Sequence, residues 1–367
     1  MSAAAKNGRH CSVLITGGAG FVGVNLAAHL LANGERVRIL DSLTRAGSER
    51  NIAWLQRNHA QRVDFIEADV RDPQALSKAM DSIEHVVHLA AQVAVTTSLV
   101  NPTYDFDVNA FGTLNVLEAV RRAPCAPSLI FTSTNKVYGG LEDLRVRLNG
   151  QRYVPMVSRV RAHGIDESRA LDFHSPYGCS KGAAEQYVLD YSRSYGLRTA
   201  VFRMSCIYGP HQHGNEDQGW VAHIVRKALA GEPITIYGDG KQVRDVLFVD
   251  DLVDAFDRTR LDIDRLSGRA FNIGGGPGNT VSLLELIQQL REQLGRPIEL
   301  RFDAWRVGDQ RYYVSDTGRF QALTGWRART QVAQGVEALC DWLTTSEAHP
   351  APRRATAMSL HGIGAPG

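Results

Sequence analysis

The chain has 367 residues, 44% of them hydrophobic and 22% charged, a balance that suits a folded enzyme and not a disordered protein. Its 41 Lys and Arg against 39 Asp and Glu leave a net charge of +2, so no basic excess marks a nucleic-acid or membrane-surface binder. No apolar run approaches the ~18 residues that span a bilayer, and the polar stretch 1–10 lacks a signal-peptide core. The length admits one large domain or two intimate ones.

Val13-Leu14-Ile15 predicts a short strand that breaks into Thr16-Gly17-Gly18-Ala19-Gly20-Phe21-Val22-Gly23. Leu26, Ala27, Leu30 and Leu31 fall at helical spacing, predicting a helix over 24–33 closed by Gly34. The next strand, 37–40, ends on Asp41. Together these make a βαβ unit around a glycine-rich turn. The alternation continues with a strand over 63–66 ending near Asp69, a helix over 74–80 and a strand over 85–89. A long helix is expected over 105–122, a strand over 128–132, a long helix over 176–195 and a strand over 199–203. Strands alternating with helices predict an α/β fold, a doubly wound parallel sheet covered on both faces.

Residues 139–172 break the rhythm as a polar excursion near the site. Residues 11–204 are expected to form a Rossmann-type dinucleotide-binding domain. Residues 205–345 are expected to form mainly a smaller substrate-binding domain, with some elements returning to the large sheet. The stretch 347–367, rich in Ala, Pro, Gly and Arg, reads as a disordered tail. The five cysteines are scattered and form no CxxC pair, which suggests neither a disulfide framework nor zinc and fits a cytoplasmic protein. His211, His213 and His223 have no acidic or cysteine partner at ligand spacing, so no metal is expected.

In the glycine turn, Gly17 would make the tight bend, Gly20 would admit a pyrophosphate, and Gly23 would let the helix pack on its strand. Phe21 and Val22 belong to the same turn. The helix N-terminus offers N–H donors to the phosphates. Asp41 would accept hydrogen bonds from a ribose and repel the extra phosphate of NADP, which favours NAD, although Arg45 stands close by. Asp69 and Val70 repeat this logic one strand later, and Leu89-Ala90-Ala91-Gln92 offers small side chains along a dinucleotide.

Tyr177 and Lys181 are four apart on one helix, where the ammonium is expected to lower the phenol pKa and ready Tyr177 for acid–base work. A hydroxyl at the end of the fifth strand, Thr134 or else Ser133, would share a hydrogen bond with the substrate oxygen. Arg244 and Arg306 can grip a diphosphate with forked hydrogen bonds.

The order of glycine turn, Asp41, Thr134, Tyr177 and Lys181 resembles the extended short-chain dehydrogenase/reductase family, and within it the nucleotide-sugar epimerases and dehydratases, over about residues 12–343. Four stretches carry a closer likeness to the 2-epimerases: His88–Ser98, Ser133–Gly139, Leu171–Lys181 and Asp217–Trp220. The resemblance implies an NAD-dependent epimerase and a homo-oligomer, dimer or tetramer. It implies a CDP-sugar substrate contacted by Thr96, Thr134, Asn135, Gln218, Tyr237, Gln242, Arg244 and Arg306. The alternatives are a 4-epimerase of UDP- or dTDP-sugars and a non-catalytic dinucleotide sensor. A dehydratase would need paired carboxylates where Asn135 and Lys136 stand.

Overall fold

A computed structural model gives the fold and describes residues 11–306 and 308–348. The chain opens as β1 (Val13–Thr16), α1 (Phe21–Ala32), β2 (Val37–Asp41), α2 (Ser48–His59), β3 (Val63–Glu67), α3 (Pro73–Ala79) and β4 (His85–His88). The first helix starts at Phe21, three residues before the sequence periodicity suggests, because the glycine turn itself carries the N-cap, Gly20. The expected long helix is three pieces: α5 (Pro102–Phe106), a π-turn over Asp107–Phe111 and α6 (Gly112–Arg122), with the short α4 (Val95–Val100) before them. Strand β5 (Ser128–Thr134) follows, buried along its whole length.

The excursion 139–172 is not merely a surface loop. It holds an antiparallel hairpin, β6 (Val146–Asn149) and β7 (Arg152–Pro155), and then α7 (Ser158–His163). An Arg152–Glu285 ion pair at 2.7 Å and the Tyr153 N–H to the Lys241 carbonyl tie it to the C-terminal part. Helix α8 (Ser175–Tyr195) and β8 (Thr199–Met204) return to the main sheet.

The remaining elements are β9 (Cys206–Tyr208), α9 (Trp220–Ala230), β10 (Ile234–Tyr237), β11 (Val243–Phe248), α10 (Val249–Leu261), α11 (Ile263–Leu266), β12 (Arg269–Ile273), β13 (Thr280–Ser282), α12 (Leu283–Leu294), β14 (Leu300–Asp303), β15 (Tyr312–Tyr313), α13 (Gly318–Thr324) and α14 (Val332–Ala348). That last helix runs into the stretch read as a tail, and 349–367 lie outside the described residues.

Seven parallel strands make the main sheet in the order β12-β8-β5-β4-β1-β2-β3. It is doubly wound and Rossmann-like. Both faces are covered: one apolar cluster packs α1 and α10 against Ile15, Ile39 and Phe202, and another packs α3, α6 and α8 against Leu14, Leu40 and Phe131. Burial on both sides explains why the central strands β1 and β5 are buried at every position, with no alternation. A third core under α9, α12 and α14 supports β10 and β11.

Candidate active site

Strand order reverses between β1 and β4, and ligands of open parallel sheets bind at the strand C-termini there. A cavity of about 860 Å³ begins at this point and runs into the C-terminal part.

At one end is the glycine turn. Gly17 has φ +69°, and a Cβ on it would lie 2.6 Å from the Ala90 nitrogen; one on Gly23 would lie 2.5 Å from the Gly18 Cα. Gly20 borders the cavity and no side chain caps α1, so its first-turn N–H groups remain available to a ligand. Asp41 accepts from the Ala19 N–H at 3.0 Å and the Leu43 N–H at 2.9 Å. Burial raises its pKa, while the N–H groups of Leu43, Ala19 and Gly20 pull the other way. Phe21, Val22, Val70, Leu89, Ala90 and Ala91 complete the wall, with Arg45 beside Asp41. Asp69 is also in the wall, but its carboxylate is gripped by Arg71 at 3.0 and 2.8 Å. Gln92 does not line the cavity. Its amide bonds Asp105 and the Ala94 carbonyl, both at 2.9 Å, so it braces the loop behind the site.

In the middle lie the catalytic candidates. Tyr177 and Lys181 occupy the first two turns of α8 and both are buried. The Tyr177 side chain hydrogen-bonds Thr134, whereas the Ser133 hydroxyl donates to Glu185 at 2.7 Å. Sequence spacing predicts a lowered tyrosine pKa, but the structure has the reverse. Burial pushes Tyr177 up to about 12, only partly offset by Thr134. Burial also pushes Lys181 down to about 7, opposed by Asp105 and Glu185. Both groups have lost hydration, and that cost outweighs their nearness. The Lys181 ammonium sits 4.2 Å from the centroid of the Phe131 ring.

At the far end are Tyr237, Gln242, Arg244, Arg306 and Gln218, and Thr96 of α4, which packs on α8, is also in the cavity wall. The two arginines do not face an empty gap together. Arg244 pairs with Asp309, and the Arg306 guanidinium lies 3.8 Å over the Tyr237 ring while donating to the Glu216 carbonyl at 2.7 Å. Gln242 donates to the Tyr237 carbonyl at 2.9 Å. Asn135 reaches Gln310 at 3.4 Å. Among the described residues, three buried wall oxygens, Thr96 Oγ1, Gln212 Oε1 and Gln242 Oε1, have no hydrogen-bond partner, which suits a polar ligand.

Sequence reasoning gave no role to Asp309 and Trp305 in this wall, because nothing in their local pattern distinguishes them, and Trp220 entered only as the end of the Asp217–Trp220 stretch. It gave Lys136 no role, yet Lys136 lines the cavity, donates to the Gly308 carbonyl at 3.1 Å and is pushed down to about 8 by burial. The His211 ring lies tilted against Trp54 and Trp342, with centroids 4.5 and 5.3 Å away. Among the described residues, no group of three or more His, Cys, Asp or Glu is placed to hold a metal, and no helix is long and apolar enough to cross a membrane.

Residues 13–274 match the NAD dependent epimerase/dehydratase family. The chain belongs to that family. It is therefore an NAD-dependent enzyme, and the glycine turn, the uncapped helix and Asp41 form a donor and acceptor set that fits NAD. The chain is 41% identical over 342 residues to the CDP-paratose 2-epimerase of Salmonella typhi, covering 91% of this chain and 99% of that one. Among solved structures it resembles the UDP-glucose 4-epimerase of Thermus thermophilus in complex with NAD, with TM-score 0.76, 31% identity, and coverage of 91% and 99%. A dTDP-glucose 4,6-dehydratase of Streptomyces venezuelae solved with NAD gives TM-score 0.79, 28% identity, and coverage of 92% and 98%.

Proposed function

We propose that this epimerase inverts C2 of a CDP-linked 3,6-dideoxyhexose, converting CDP-paratose to CDP-tyvelose. The observation that carries the reading is the 41% identity, over nearly all of both chains, to a CDP-paratose 2-epimerase. NAD, when bound, supplies a reversible hydride acceptor at the sugar carbon. Tyr177, as a phenolate once the site is loaded, takes the proton from the C2 hydroxyl and returns it after the 2-keto sugar has turned over. Thr134 holds the phenol oxygen, and the Lys181 ammonium stabilises the phenolate while it exists. Arg244 and Arg306 hold the diphosphate, so that the sugar ring can rotate while its nucleotide stays anchored.

Dehydration fits less well. The positions after Thr134 are Asn135 and Lys136, and elimination of water needs an acid and a base there. The decisive experiment incubates the enzyme with CDP-, UDP-, GDP- and dTDP-sugars and follows the anomeric and C2 or C4 signals by NMR. C2 inversion of the CDP-sugar alone is expected. C4 inversion of a UDP- or dTDP-sugar would replace this reading with the 4-epimerase one.

We infer that residues 11–204 carry NAD and that 205–345 mainly close on the sugar nucleotide. The chain is also inferred to act as a homo-oligomer. Val100, Phe106, Phe111 and Tyr187 are exposed on α4, α5, the π-turn and α8, four neighbouring segments, and such a surface suits a second copy. Light scattering of wild type and of Phe106→Asp tests this, with the substitution expected to lower the mass.

A further inference from the structure

Asp105 is fully buried at the C-terminal end of α5, and the reaction outlined above leaves it without a role. Its carboxylate accepts hydrogen bonds from Ser180 Oγ at 2.5 Å, Gln92 Nε2 at 2.9 Å and Asn109 Nδ2 at 3.1 Å. All three donors are neutral. Among the described residues no Lys, Arg or His nitrogen forms an ion pair with it. A buried charge needs compensation, and three neutral dipoles supply only part of it.

Lys181 is in the complementary position. It is 3% exposed, lies over the Phe131 ring and forms no ion pair among the described residues. The charged and titratable groups around it come from three elements, α8 itself, β4 and α5. Glu185, one turn further along α8, is fully buried and could neutralise it, but Glu185 is already held by Arg203 of β8 at 2.5 Å and by Ser133 of β5. His88 of β4 is fixed between Thr16 at 2.6 Å and Thr113 at 3.0 Å, and burial drives its pKa down to about 3, so it is uncharged. In the protein alone burial pushes Tyr177 up to about 12, so its phenol does not neutralise the ammonium. Asp105 is the remaining negative charge: its carboxylate is held by Ser180, the residue before Lys181 on α8, both it and Lys181 are buried, and it is the largest influence acting to keep Lys181 protonated.

We propose that Asp105 is the buried counter-ion of Lys181, a positioning residue that keeps the ammonium charged for its part in proton transfer without touching substrate. The proposal rests on the reading of Tyr177 and Lys181 as the acid–base pair. Asn is nearly isosteric with Asp, and the Ser180 hydroxyl can turn to accept from its amide, so Asp105→Asn removes charge with little change in shape.

The test measures kcat against pH for NAD-loaded wild type, D105N, S180A and K181M, with retained NAD followed by absorbance as the check on folding. In D105N the alkaline limb is expected to move by about one pH unit toward lower pH, since Lys181 then gives up its proton earlier. In S180A, which loses a hydrogen bond of the same cluster but keeps the charge, the limb is expected to stay in place. An unmoved limb in D105N, or equal movement in S180A, overturns the proposal. Wild-type turnover in K181M would overturn the acid–base reading beneath it as well. Asp105→Ser is read in the same way should D105N fail to retain NAD.

Discussion

Ser133 and Thr134 are adjacent on β5, yet their hydroxyls serve different partners: Ser133 donates to the buried Glu185 at 2.7 Å, and Thr134 bonds the Tyr177 side chain. Successive side chains of a strand point to opposite faces, so one residue can brace the fold while its neighbour meets the ligand. Thr134→Val keeps the shape and is expected to lower kcat by about 10²-fold, and Tyr177→Phe by at least that factor. Ser133→Ala is expected to cost about 1–3 kcal/mol of stability, because Glu185 loses a partner, with kcat within tenfold of wild type. Steady-state kinetics beside thermal denaturation separates the two hydroxyls, and the opposite pattern would exchange their roles.

Arg244 is buried against Asp309, so on the proposed reading a diphosphate would have to share the guanidinium or displace that carboxylate. Arg244→Ala is expected to raise KM for the sugar nucleotide by at least tenfold with little change in kcat. Asp309→Asn is expected to move CDP affinity the other way, since the arginine is then held less tightly. Titration calorimetry with CDP reads both. Unchanged affinity in both variants would remove this ion pair from the nucleotide site.

Three imidazoles are depressed by burial: His88 to about 3, and His85 and His211 to about 4. The folded protein therefore refuses protons that the unfolded chain accepts near pH 6.5. Their contribution is fully present above that pH and is lost as pH falls toward 4. A single group such as His88 contributes a slope of about 1.4 kcal/mol per pH unit in this range. Melting temperatures are expected to fall steadily from pH 7 to pH 5. A flat profile would mean that these rings take up protons inside the fold.

If one tightly held NAD oxidises and re-reduces the sugar, the hydrogen at the inverted carbon never meets water. Product made in D₂O is expected to carry its original hydrogen at C2, read by NMR. Near-complete deuteration there would mean that a proton, and not hydride, is removed. Slight exchange at C3 is compatible, because a transient 2-ketone acidifies the C3 hydrogens.

The βαβ opening was legible because its signals agree: apolar strands, glycines at required bends and Asp41 at a strand end. The hidden parts are those where tertiary contact decides. α2 is polar overall, and only Ile52 and Leu55 of its apolar side chains are buried, so its apolar stripe is short. A π-turn at 107–111 interrupts the helix expected over 105–122, and one extra residue in a turn leaves no mark in composition. Asp309 reaches Arg244 across 65 positions of sequence. The direction of the Tyr177 shift depends on dehydration of the site, which spacing along a helix does not report.

Strand β12 pairs along its whole length with β8, setting Phe271 beside Phe202, and Asn272 holds Tyr138 at 2.7 Å. The edge of the main sheet is thus supplied by a segment that follows β9, α9, β10 and β11 in the chain. The two halves are interleaved and are not cassettes. A chimera that joins the first 204 residues to a relative's second half inherits a foreign strand against β8, so altering sugar choice by recombination requires residues 269–273 to travel with the first half, leaving point changes in the cavity wall as the simpler route.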